Sequence, residues 1–175
     1  MEQRVVEVAY DNKIGHIGSC LTTVPILDYI YKNKKKDDIV VLSAGHAGIA
    51  LYVALEKYEG KDADMLYKKH GVHPNRDVEN SIHVSTGSLG SGITIAVGYA
   101  IADRTRDVHV IISDGECAEG SVWESLAYIR NAGLTNCKVH VNVNGYSAYD
   151  KVNMWYLWLR LKVFNWRTRI WFTKN

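Results

Sequence analysis

The sequence predicts an α/β fold, a parallel sheet flanked by helices, and three observations carry that prediction. Val108 to Ile112 is a β-branched run that stops at Ser113-Asp114-Gly115. Val122, Leu126 and Ile129 then recur at helical spacing until Gly133. Val139, Val141 and Val143 alternate as a second strand. Strand, helix and strand within about 40 residues make a βαβ unit, which requires parallel strands and a right-handed crossover.

The remaining elements follow in chain order. Residues 2 to 12 read as a helix with Val5, Val6, Val8 and Ala9 partly on one face, and the glycine-punctuated turn Gly15-His16-Ile17-Gly18 comes next. Thr22 or Thr23 is expected to cap a second helix, because Pro25 suits a first helical turn and Ile26, Leu27, Ile30 and Tyr31 follow at helical intervals. The run KNKKKDD closes it as a solvated loop. Ile39 to Leu42 is a short apolar strand or turn ending in Ser43-Ala44-Gly45-His46, and Ile49, Val53, Ala54 and Tyr58 continue as a helix. Residues 60 to 83 show no period. After Thr86-Gly87-Ser88-Leu89-Gly90, the residues Ile93, Ala96, Val97, Ala100 and Ile101 describe a helix with a small-residue face. Between Val152 and Phe164 both strand and helix periodicities fit, and Arg167 to Thr173 reads as a final strand.

With 175 residues, 47% of them hydrophobic, the chain suits a single domain over residues 1–175. The formal net charge of +2 gives no reason to expect nucleic acid or a membrane surface. No stretch reaches the roughly 18 apolar residues that span a bilayer, and MEQRVVEVAYDNK lacks a signal core, so a cytoplasmic protein is expected. Cys20, Cys117 and Cys137 form no CxxC pair and are expected to be buried thiols.

The sharpest chemical feature is Ser113-Asp114-Gly115-Glu116 at one strand end with Asn144 at the next. In doubly wound sheets, ligands bind outside the carboxyl ends of strands at a topological switch point. A carboxylate and an amide oxygen from two such ends could share a hard cation such as magnesium. By residue type alone a second reading stands beside it, in which Asp114 caps a helix and Asn144-Gly145 is a turn.

The spacing adds a resemblance. The segment SDGECAEGSVWESLAYIRNAGLTNCKVHVNVNGYSAYD resembles the thiamine-diphosphate motif of transketolases, which shows Gly-Asp-Gly, then Glu-Gly and Trp-Glu, then an Asn about thirty residues after the Asp. Here Asp114-Gly115, Glu119-Gly120, Trp123-Glu124 and Asn144 take those places. Gly15-His16-Ile17-Gly18, Leu42-Ser43-Ala44-Gly45-His46, His73-Pro74 and Thr86-Gly87-Ser88-Leu89-Gly90 resemble four further motifs of the family, in its order. The first glycine of Gly-Asp-Gly is Ser113 here, and the family's Asn-Asn pair is Asn144-Gly145.

The resemblance implies that Asp114, the Asn144 side chain and the Tyr146 carbonyl hold Mg2+, which holds the diphosphate. It implies that His46, Gly87, Leu89, Gly115 and Glu119 belong to the cofactor site and that His16 and His73 serve catalysis. The implied activity is two-carbon ketol transfer between sugar phosphates, with a separate pyrimidine-binding transketolase chain completing the site in a homo- or hetero-oligomer. A non-catalytic, cofactor- or partner-binding relic is the alternative. Similarity is clear from about Val5 to Val152. The divergent segment 151–175 interleaves Lys151, Arg160, Lys162, Arg167, Arg169 and Lys174 with Trp155, Trp158, Trp166 and Trp171, and is expected to be core or subunit contact.

Overall fold

The computed structural model describes residues 1–15, 17–147 and 151–173. Its helices are α1 (Glu2–Asp11), α2 (Gly18–Asn33), α3 (Gly48–Glu59), α4 (Ala63–His70), α5 (Ser91–Ala102), α6 (Gly120–Asn131) and α7 (Met154–Phe164). Its strands are β1 (Ile39–Leu42), β2 (Val108–Ser113), β3 (Cys137–Val143) and β4 (Arg169–Phe172). All ladders are parallel, in the order β1-β2-β3-β4. Ser113 lies opposite Asn142, so β2 and β3 end side by side.

Both faces of the sheet are covered, as a parallel sheet requires. Val40, Leu42 and Ile111 meet α1, α2 and α3 on one face. Ile39, Val41, Val108, Val110, Ile112, Val139, Val141 and Val143 meet α5, α6 and α7 on the other. The alternation read in β3 is therefore apolar against polar, with both sides buried. His140 and Asn142, turned toward α2, are 3% and 2% exposed. Asn142 Nδ2 donates to Thr22 Oγ1 (2.9 Å) and Thr23 Oγ1 (3.2 Å), while its Oδ1 accepts from Thr173 Oγ1 (2.7 Å).

That seam explains one correction. α2 begins at Gly18, four residues ahead of the expected caps, and Pro25 lies inside it. Thr22 and Thr23 are not caps; their hydroxyls donate back to Ser19 O and receive Asn142. A second correction concerns 60–83, where α4 forms with Asp62 as its N-cap, accepting from Met65 N at 2.9 Å. A third concerns topology: the strand order runs without reversal, so this sheet has no switch point among the described residues. What gathers the loops is instead the common carboxyl edge of β1, β2 and β3.

In the C-terminal segment the helical period prevails from Met154 to Phe164. Leu157 and Leu161 are buried, and Arg160 lies 3.9 Å from the Trp123 ring centroid. Trp171 packs on Tyr29 with centroids 5.3 Å apart, whereas Trp155 and Trp166 are 80% and 66% exposed. Among the described residues no helix is long and apolar enough to cross a membrane.

Candidate active site

Three loops meet beyond the carboxyl edge of the sheet. Directly after β1, Ser43 and a tight turn over Gly45–Ala47 carry His46. Gly45 allows that turn to touch the 86–90 segment, because a Cβ there would lie 2.6 Å from Gly87 N. Gly87 itself has φ +131°, which glycine alone adopts easily, and its ideal Cβ position is 3.1 Å from His73 Cγ. After β2, Asp114 caps the short turn Gly115–Ala118.

Glu116, fully buried, ties the three loops together. Its Oε1 accepts from Ser43 Oγ (2.6 Å) and Gly90 N (3.0 Å), and its Oε2 accepts from Ser113 N (3.0 Å). Burial still pushes its carboxyl above the usual carboxylate range. The Ser113 hydroxyl, standing where the resemblance expects glycine, accepts from Glu116 N at 3.2 Å. Sequence reasoning gave Glu116 no role. The only sequence signal was its place two residues after Asp114.

A cavity of about 580 Å3 opens over this junction. Of the sequence-selected residues, His46, Leu89, Asp114, Gly115, Asn144 and Tyr146 line it. Gly18 and Ser19 join them from the first turn of α2, whose unsatisfied N–H groups and dipole favour an anion. His73 and Gly87 adjoin each other and do not line the cavity, and His73 is exposed. Glu119 is half-buried ahead of α6 and does not line the cavity. His16 lies outside the described residues.

Asp114 is 3% exposed and has no cationic side chain within ion-pair distance among the described residues. Its Oδ1 accepts from Gly115 N (3.0 Å); its Oδ2 accepts from Asn144 N (3.0 Å) and Gly145 N (2.8 Å). Burial outweighs these bonds and raises its carboxyl above the ordinary value. Oδ1 keeps one lone-pair direction free. So does Asn144 Oδ1, which among the described residues accepts once, from Tyr146 N at 3.0 Å. Capping turn and candidate cation site are thus the same residues.

A second group of potential metal ligands, Asp38, Asp107 and His109, lies at the amino end of the sheet. Trp171 Nε1 can only donate, so His140 Nδ1, 3.3 Å away, accepts. Burial pushes the His140 pKa down to about 3, so the ring is neutral and its proton sits on Nε2, facing His109 Nδ1 at 3.4 Å. His109, also held neutral by burial, then keeps its proton on Nε2, facing Asp38 Oδ2 at 3.9 Å. A protonated Nε2 cannot ligate a metal. Asp38 is already committed to Asp107 N (3.0 Å) and Lys35 N (2.7 Å).

Fold and site together define an α/β domain with a cavity at the carboxyl edge of a parallel sheet, lined by the first turn of α2 and by a buried carboxylate that has no cationic partner among the described residues. Comparison with known proteins makes this specific. The chain belongs to the transketolase, thiamine diphosphate binding domain family, whose pattern matches residues 4–168. The match runs beyond Val152, through α7. An apulose-4-phosphate transketolase subunit of Phocaeicola vulgatus is 34% identical over 143 residues, covering 70% of this chain and 50% of that protein. The 1-deoxy-D-xylulose-5-phosphate synthase of Fusobacterium nucleatum is 31% identical over 157 residues, covering 87% of this chain and 25% of that one. The crystal structure of transketolase from Campylobacter jejuni superposes with a TM-score of 0.79 at 21% identity, over 94% of this chain and 30% of that chain, and so shares the fold. The chain spans half the length of the first of these relatives and a quarter of the second.

Proposed function

We propose that the chain is the diphosphate-binding part of a transketolase-type transferase, binding thiamine diphosphate through Mg2+ in the cavity at the carboxyl edge. The observation that carries the reading is Asp114, a buried carboxylate without a cationic partner among the described residues, set beside Asn144 and the α2 N-terminus in a family described as binding this cofactor. Asp114 Oδ1, Asn144 Oδ1 and the Tyr146 carbonyl are hard oxygen donors of the kind magnesium prefers, with waters and phosphate oxygens to complete its shell. Gly18, Ser19 and His46 would receive the diphosphate, and Leu89 and Gly115 would bound the cofactor. Gly87 and Glu119 would support that site from behind, while His73 and His16 would handle protons of sugar hydroxyls. Bound thiamine diphosphate supplies a carbon nucleophile able to carry a two-carbon unit. The substrates are proposed to be sugar phosphates.

The Phocaeicola vulgatus relative is itself named as one subunit of a transketolase. A similar arrangement is proposed here, with residues 1–175 acting as one shortened diphosphate unit and a pyrimidine-binding chain completing the site in an oligomer in the cytoplasm. Calorimetric titration with thiamine diphosphate and Mg2+ tests the reading. Asp114→Ala should abolish magnesium-dependent binding, and Asn144→Ala should weaken it less, because an amide oxygen brings no charge. Wild-type affinity in Asp114→Ala would overturn the assignment.

A further inference from the structure

At the amino ends of β3 and β4, the structure holds a separate cavity of about 400 Å3, large enough for a small ligand. Seven residues of β3, roughly 20 Å at about 3.3 Å per residue, separate this end of the sheet from Asn144. Lys138, Arg167 and Arg169 line it, and among the described residues no carboxylate does. Lys138 has Asp107 at 3.6 Å, but neither arginine has a carboxylate within 4.0 Å among the described residues. The Arg169 guanidinium stacks on Tyr29, 4.6 Å from the ring centroid, and Tyr29 is braced by Trp171. The Arg167 guanidinium lies 5.2 Å from the Trp166 centroid. A guanidinium held by its face keeps its N–H edge for a planar or tetrahedral oxyanion, and less side-chain entropy is lost when one binds.

We propose that this cavity is a second, non-catalytic oxyanion site, taking a phosphate group, free or carried as a phosphomonoester, on Arg167, Arg169 and Lys138. A dianion there would neutralise the two arginines, which lack a carboxylate partner among the described residues, and add to the partial compensation that Asp107 gives Lys138. It would also act on the histidine at the cavity wall. Arg169 and His109 add to burial in keeping His140 neutral, so an anion bound on Arg169 changes the field at that ring.

The histidine ring signals of the full chain therefore report on the site. They would be followed by NMR at neutral pH during titration with inorganic phosphate and, separately, glycerol 3-phosphate, each against sodium chloride at matched ionic strength. A saturable shift of the His140 signal at millimolar phosphate or ester is expected. It should be lost in the Arg167→Ala/Arg169→Ala double variant and retained in Asp114→Ala, which leaves this end of the sheet untouched. Arg169→Lys, which keeps the charge and removes the fork, should weaken binding by about tenfold. Equal midpoints for the two probes identify the phosphate group itself as the ligand, and tighter binding of the ester identifies a phosphomonoester. A shift reproduced by chloride, or one undiminished in both the double variant and Arg169→Lys, would overturn the proposal.

Discussion

Asp114 places a carboxylate where the described residues supply three N–H groups and no cation, and the balance shows in the direction of its titration, since burial prevails over hydrogen bonding. A site left in that state gains from any cation that reaches it. The neighbouring junction is governed by space rather than charge. At Gly45 the chain passes so near Gly87 that a methyl group would overlap backbone nitrogen at 2.6 Å and the Thr86 carbonyl carbon at 2.9 Å, neither of which can turn aside as a side chain could. Gly45→Ala should therefore cost about 1–3 kcal/mol of stability, the range for overpacking, and loosen the loop that bears His46. Denaturant unfolding beside cofactor titration would check this. An unchanged midpoint would mean that the loop yields without strain. The tight junction was legible as a row of glycines in the sequence. Its buried hub, Glu116, was not, because nothing local separates a bridging carboxylate from a solvated one.

At the scale of elements, β3 shows why periodicity found the strand and missed its environment. Val139, Val141 and Val143 alternate with His140 and Asn142, a pattern that normally marks one wet face. Here the polar side is covered by α2, whose Thr22 and Thr23 meet Asn142, so helix and strand specify each other through hydrogen bonds that no single-segment reading contains. α4 was missed for a related reason: eight residues with only Ala63 and Leu66 buried carry too short a stripe to show a period, and Asp62 alone announced it. The buried histidine also has a consequence for stability. Its folded pKa of about 3 lies below the ordinary histidine value of 6.5, so the unfolded chain takes up the proton first as pH falls. Stability present above pH 6.5 should then be lost as the pH drops below it, at up to about 1.4 kcal/mol per pH unit for this group, with His109 adding in the same direction. Unfolding free energies measured from pH 7 to pH 5 should fall less steeply in His140→Gln than in the parent. Parallel slopes would show that His140 does not govern this limb.

Across the whole molecule, apolar surface and unfinished chemistry point the same way. Trp155, Tyr156, Leu159, Val163 and Trp166 are all more than half exposed, a patch of the kind that mediates association, so light scattering on the isolated chain should show a dimer or larger species at micromolar concentration. The last expectation is that the 175-residue chain by itself does not turn over sugar phosphates. Activating thiamine diphosphate means removing the thiazolium carbon's proton, which in the resembling family needs a carboxylate hydrogen-bonded to the aminopyrimidine ring. The only carboxylate lining the cavity among the described residues is Asp114, and it is engaged by three backbone N–H groups at the end proposed for the diphosphate. Glu116 is buried beneath three hydrogen bonds of its own, and Glu119 does not reach the lining. A ring bound in a cavity walled by this chain alone would stay in contact with water and lose the preorganised electrostatics on which the rate depends. Cofactor binding without turnover is the expected behaviour, with activity appearing on mixing with a chain that supplies the pyrimidine-binding domain. Steady-state ketol transfer by the purified chain, abolished by Asp114→Ala so that contaminating enzyme is excluded, would show instead that the described cavity is catalytically complete.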